Sequence, residues 1–400
     1  MWLNGKNPAS VTDKDVEILF VQVSKFRLSP LVRDSTLEKM EENESTFPHF
    51  DINIEPENVE DTFQQIISDI RPLWDKQDVI FKTVPKGVSN GLLNTMIKCY
   101  SQTDKMDVIM IRIHNIKVNN WLDRSIEVKC IKVLDCAPKI LATFETGFCY
   151  EYYHGEILNH TRLKKNPIWR LIAVDLAKFH STDLNGVSKE ESVKKLEGQI
   201  DSLMNGYPQK LQDPIQDEIF KREIPPLEEL KVLVDELKKQ CGELNSPIVL
   251  CHNDTRAENI VWNPEKQRIH FVDFEAMNYG FQANELASHF ARYSGMAPPD
   301  YNLIPNEAFQ MDFLRFYLEQ FYTFSGKNAA DVTEKDVRTL YVQVNKYYLF
   351  QLVMTAIAIP VFDSMNILQD SSFNLVEFAV ISMKEYYKQR DKILAMTLPD

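Results

Sequence analysis

Ile248-Val-Leu-Cys-His252-Asn-Asp254-Thr-Arg256-Ala-Glu-Asn259-Ile-Val-Trp262, followed by Ile269-His-Phe-Val-Asp273-Phe-Glu275, is the stretch on which the reading of the fold turns. A short apolar run, Ile248 to Leu250, delivers His252 and Asp254 into a polar turn. Asn259 comes five residues after Asp254 and leads into the apolar Ile260, Val261 and Trp262. A further apolar run, Ile269 to Val272 with His270 facing the other way, ends at Asp273. The pattern reads strand, loop, strand, turn, strand, with carboxylates and an amide at the strand ends.

This spacing is His-x-Asp-x-x-x-x-Asn followed by an Asp-Phe-x turn, a pattern of phosphotransferases. Phosphoryl transfer needs little covalent help; it needs positioning and charge neutralisation around the moving group. Asp254 is therefore expected beside the attacking hydroxyl as base or orienter. Asn259 and Asp273 are expected as oxygen ligands of Mg2+, the metal that bridges the phosphates of ATP. His252 is expected to pin the loop by hydrogen bonds, and Arg256 is grouped with the nucleotide-binding residues.

Four hundred residues suit two lobes, and 44% hydrophobic with 26% charged residues is an ordinary globular composition. A net charge of −13 and a pI near 5.2 argue against nucleic acid or an anionic membrane as the main partner. The cysteines lie mostly in apolar runs without metal-type spacing, which suggests reduced core thiols in the cytoplasm. Met1 to Ser10 does not read as a signal peptide. Leu349 to Phe362, interrupted by Gln351 and Pro360, reads as a buried helix too short to span a bilayer.

Along the chain, residues 1–45 form an extension. Val11 to Leu28 repeats Val332 to Leu349, with about eleven of eighteen aligned residues identical. One pair is a partial duplication, not a solenoid. Residues 46–150 read as a strand-rich small lobe. Its hairpin Lys86 to Gly91, with Ser89, Asn90 and Gly91, is of the kind that covers phosphates with backbone N–H groups. Arg112 on a strand and Glu127 on the next helix are expected to pair and hold the nucleotide phosphates. At the crossing, Glu151 and Tyr152 are placed where adenine would meet the backbone. Residues 151–400 turn helical, with Asn166 expected to cap a helix that begins at Pro167. The expected fold is α+β and protein-kinase-like, a small strand-rich lobe on a large helical one.

The chain resembles the choline/ethanolamine kinase family from about Asp51 to the C-terminus. The matching motifs are Cys149-Tyr-Glu-Tyr-Tyr-His-Gly-Glu156, Asn166-Pro with Arg170-Leu-Ile-Ala, Val249-Leu-Cys-His-Asn-Asp254 and Val272-Asp-Phe-Glu275. The resemblance implies ATP-dependent phosphorylation of ethanolamine, on the way to phosphatidylethanolamine. It also implies that the C-terminal copy of the repeat is the native one. Where the family reads Asp-x-x-Asn-His-Phe-x-Glu, this chain has Glu285-Leu-Ala-Ser288-His-Phe-Ala-Arg292. The family's two pocket tryptophans correspond to Thr355 and Ala358, so cation–π contact and carboxylate pairing, the two ways to hold an ammonium, are both weakened. Glu275, Glu285 and Tyr347 are the expected substitutes, with Arg292 facing the acceptor. A less cationic alcohol as acceptor, or a weakly active paralogue serving as a regulatory partner, are the alternatives. Homodimer or heterodimer with a family member is left open.

Overall fold

The computed structural model describes residues 47–84, 94–114, 124–295, 298–364 and 374–400. The extension 1–45 and the hairpin with Ser89, Asn90 and Gly91 lie outside the described residues. The small lobe is a six-stranded sheet of β1 (His49–Phe50), β2 (Val79–Thr83), β3 (Asn94–Ser101), β4 (Val108–His114), β5 (Ile140–Phe144) and β6 (Gly147–Glu151). Its order is β1-β5-β6-β4-β3-β2, antiparallel except where β1 joins β5.

Alternation along β3 and β4 sorts side chains to two faces. Ile97, Cys99, Ile109 and Ile111 go to the outer face, where α1 (Val59–Ile70) covers them with Phe63, Ile66 and Ile67. Met96, Met110 and Arg112 go to the inner face, opposite the large lobe. A helix, α2 (Arg124–Val133), carries Glu127 beneath that face. Gly147 is paired with Ile113 across β6 and β4. A Cβ there would sit 1.9 Å from the carbonyl oxygen of Arg112, so only glycine lets the strands close at this point.

After the crossing, β7 (Glu156–Ile157) pairs with β9 (Ile260–Asn263), which pairs in turn with β10 (Arg268–Phe271). A separate pair joins β8 (Ile248–Cys251) to β11 (Asn278–Phe281). Around these ribbons pack α3 (Ile168–Ser181), α4 (Lys189–Asn205), α5 (Pro214–Glu223), α6 (Leu227–Gly242), α7 (Gln282–Ala291), α8 (Glu307–Phe324), α9 (Glu334–Ser364) and α10 (Leu375–Leu394). One expectation shifts. Pro167, at φ −85° and ψ 4°, is itself the residue that precedes the helix, and Asn166 lies outside it across a cis peptide bond.

The central helix of the large lobe is α9. Thr333 and Asp336 start it reciprocally: the Thr333 N–H donates to Asp336 Oδ2 at 2.8 Å, and the Asp336 N–H to Thr333 Oγ1 at 3.2 Å. By length and composition the helix could cross a membrane, but 83% of its apolar window is buried inside the protein. Val337, Leu349, Val353 and Ile357 are fully buried, each stabilising the fold by about 1.5–3 kcal/mol. Two amides fix its rotation. Gln343 donates to the Leu244 carbonyl at 2.8 Å and Gln351 to Asn284 Oδ1 at 2.7 Å.

Candidate active site

The loop after β8 is built on His252 and Asp254, both with no exposed surface. His252 Nε2 lies 3.2 Å from the Val272 carbonyl, and the Asp254 N–H lies 3.3 Å from His252 Nδ1. These partners fit a neutral ring with its proton on Nε2, and burial lowers the pKa in the same direction. His252 thus ties the loop to the residue before Asp273.

Five residues of spacing close Asp254 onto Asn259. The Asn259 amide donates to the Asp254 carbonyl at 3.0 Å and to its Oδ2 at 2.7 Å. Arg256 adds Nε to the same Oδ2 at 3.3 Å and Nη2 to Asn259 Oδ1 at 3.2 Å. Asp254 Oδ1 is buried and accepts no hydrogen bond among the described residues. One oxygen orients the carboxylate while the other is left for a proton donor. Asp273 follows β10 in the left-handed region, φ 70° and ψ 63°, and the Val272 N–H donates to the Asn259 carbonyl at 2.9 Å. That bond brings Asn259 and Asp273 side by side.

From the small lobe Arg112 reaches across. Its Nη1 is 3.1 Å from Glu127, its Nη2 is 3.0 Å from Asp273 Oδ1, and Nη2 also contacts Glu275. Desolvation works against its charge, but Glu127, Glu275 and Asp273 outweigh it and hold the guanidinium protonated. Removing Arg112 would take the guanidinium from the buried Glu127 and Glu275, at a cost of about 3–5 kcal/mol.

The acceptor side differs from expectation. Glu275 is 4% exposed, engaged by Arg112 and by Asn94, whose Nδ2 donates at 2.5 Å. Glu285 lines the same cavity as Tyr347, but its carboxylate is engaged by the protein as well. Placed in the first turn of α7, it accepts the backbone N–H groups of His252 at 3.0 Å and Asn253 at 2.5 Å. His180 Nε2 adds a contact at 2.7 Å, and His180 Nδ1 meets the Tyr317 hydroxyl at 2.5 Å. Glu285 therefore positions the catalytic loop, because loop N–H groups buried without acceptors would be costly. Tyr347 packs against Phe281 with ring centroids 5.7 Å apart. Both line a cavity of about 140 Å³ with Asn253, Ser288, Gln351 and Met354. Arg292 is 4% exposed and donates to Ser288 Oγ at 3.3 Å. Thr355 and Ala358, at the family's tryptophan positions, are buried.

A second cavity, of about 90 Å³, lies between the lobes. Val84, Met96, Met110, Val261 and Val272 give it apolar walls, with Arg112 and Asp273 at one end and Tyr152 at the other. Glu151 is exposed, and Tyr152 receives a hydrogen bond from Lys98 Nζ at 2.9 Å. Lys98 and Glu258 also line this cleft. Sequence reading passed over both. The signal for Glu258 was its place beside Asn259, and for Lys98 its place in alternation with Met96.

A strand-rich lobe over a helical one, with these carboxylates at the cleft between them, defines a protein-kinase-like phosphotransferase. The family model for choline/ethanolamine kinases matches residues 85–387. Ethanolamine kinase 1 of Mus musculus is 32% identical over 365 residues, covering 88% of this chain and 96% of that protein. Plasmodium vivax ethanolamine kinase superposes with a TM-score of 0.65 at 20% identity, over 85% of this chain and 92% of that one. Choline kinase from Cryptosporidium parvum gives 0.63 at 19% identity, over 83% and 96% of the two chains. The chain belongs to the choline/ethanolamine kinase family.

Proposed function

We propose that the protein transfers the terminal phosphoryl group of ATP to the hydroxyl of ethanolamine. The observation that carries this reading is the Asp254 carboxylate, with one oxygen held by Asn259 and Arg256 and the other unpartnered among the described residues. In a chain of this family, that oxygen is suited to accept the proton of the attacking hydroxyl and aim its lone pair at phosphorus. Arg112 and Arg256 supply positive charge for the phosphates. The hairpin with Ser89, Asn90 and Gly91 would cover them, and the backbone at Glu151 and Tyr152 would receive adenine.

The residues present fit a magnesium ion, because Asp273, at the cleft, and Asn259, whose carbonyl accepts the neighbouring Val272 N–H, offer hard oxygen donors. When bound there, the ion would neutralise phosphate charge. Release of phosphoethanolamine toward phospholipid synthesis and a cytoplasmic setting fit this reading. The test is phosphotransfer by the purified protein from ATP to ethanolamine, choline and related amino alcohols. Transfer to ethanolamine is expected; nucleotide binding without transfer to any of them would reject the reading.

Arg292 favours a second reading, a less cationic alcohol as acceptor. It is buried at the family's acidic position, while the carboxylates of Glu275 and Glu285 are already engaged. A neutral amino alcohol surrogate outperforming ethanolamine in the same screen would select this reading.

A further inference from the structure

We propose that Glu258 reads the ribose of the nucleotide and makes the enzyme selective for ribonucleotides; the inference rests on the cleft taking ATP. Glu258 stands in the short turn Ala257–Asn259, directly before β9, and is 7% exposed. Four charged side chains line the cleft among the described residues: Lys98, Arg112, Glu258 and Asp273. Lys98 donates to Tyr152, and Arg112 pairs with Asp273. Glu258 has neither a hydrogen bond nor an ion pair among the described residues. Most of the residue is covered, yet neither carboxylate oxygen is among the fully buried atoms, so the unpaired carboxylate opens on the cleft that it lines.

Its place along the cleft selects its partner. The phosphate end is marked by Arg112 and Asp273, the other end by Tyr152 and Tyr153. Glu258 adjoins Asn259 on one side, and β9, which follows, pairs with the β7 strand leaving the crossing. The turn that carries Glu258 packs against β7, which leaves the crossing, and this packing suits its carboxylate to the sugar of a nucleotide extended from the crossing to Arg112. Charge agrees with position. An uncompensated carboxylate repels phosphate, but it accepts hydrogen bonds from a neutral vicinal diol, whose two hydroxyls are donors.

Equilibrium binding of ATP, 2′-deoxyATP and 3′-deoxyATP to the full-length protein tests this without requiring turnover. Wild type should bind at least one deoxynucleotide roughly tenfold to hundredfold more weakly than ATP, the range for a hydrogen bond to a charged group. Glu258→Gln should weaken ATP and compress that ratio toward one, while leaving the affinity for the deoxynucleotide nearly unchanged. Equal binding of all three by wild type overturns the proposal, whatever the variant does. So does a Glu258→Gln protein that keeps the full ratio. A protein that discriminates among the nucleotides but phosphorylates no amino alcohol would uphold this inference and sink the acceptor assignment. One that binds no nucleotide at all would instead remove the reading on which it rests.

Discussion

The interlobe cleft and the helical acceptor side were shaped by one family pattern, and they have drifted by different amounts. At the cleft, Asn259 holds Asp254 at 2.7 Å, and Arg112 holds Glu127 at 3.1 Å and Asp273 at 3.0 Å. On the helical side expected to hold the acceptor, Arg292, Thr355 and Ala358 are buried. The contrast teaches that reaction chemistry and acceptor choice are separable. Asp254, Asn259 and Asp273 are fixed by one strand-turn-strand unit, with Arg112 and Glu127 reaching in from the small lobe, whereas Tyr347 and Gln351 come from a helix.

The largest expected effect lies at Asp254. Asp254→Asn keeps shape and the bond from Asn259 but removes the charge that receives the proton. Turnover should fall roughly a thousandfold or more, with circular dichroism unchanged. Substantial residual activity would show that the carboxylate only orients, and the contrast between the two regions would lose its anchor.

Glu285→Gln probes the residue that joins them. Losing a charged acceptor for two backbone donors should cost about 1–3 kcal/mol and lower Tm by several degrees. Burial pushes this carboxyl up, but the hydrogen bond from His180, the nearby His252 and the Asn253 N–H outweigh it and hold it below the ordinary glutamate value. A depressed folded pKa gives stability that is present above the unfolded value of about 4.3 and is lost as pH falls through the folded one. The Tm gap between wild type and variant should therefore narrow on acidification below about pH 4. A gap that widens instead would mean that Glu285 is not bound as an anion.

Arg292→Glu sharpens the acceptor side. Like charges about 4 Å apart cost about 4 kcal/mol at an effective dielectric of 20. Removing even part of that repulsion should tighten ethanolamine at least tenfold, about 1.4 kcal/mol, with little effect on ATP. If titration shows no gain, the amine binds away from α7. The smallest effect is expected on deleting residues 1–45, since Val11 to Leu28 repeats a segment already supplied by α9. Tm and activity should stay nearly unchanged; a large loss of Tm would show that the extension is needed by the core.

How much could be read in advance follows from how local each interaction is. Asp254 and Asn259 sit in one loop, and a strand basic residue followed by a helix acid sufficed to expect the Arg112–Glu127 contact, which the structure places at 3.1 Å. The partners of Glu285 were not legible, because they are the backbone of residues 32 and 33 positions earlier and the ring of His180, 105 positions earlier. The contact of Glu275 with Arg112 on β4 was hidden for a similar reason, since it spans the two lobes and follows no periodicity. The burial of Glu258 depends on how the crossing strand lies over β9, which a single line of residues does not record.

Arg112 is outnumbered where it sits. Three carboxylates, Glu127, Asp273 and Glu275, lie against its one guanidinium. A bare polyphosphate arriving there would add like charge to like in a poorly screened site. A phosphate chain that enters the cleft meets acids as well as a base, so its charge counts there as much as its shape.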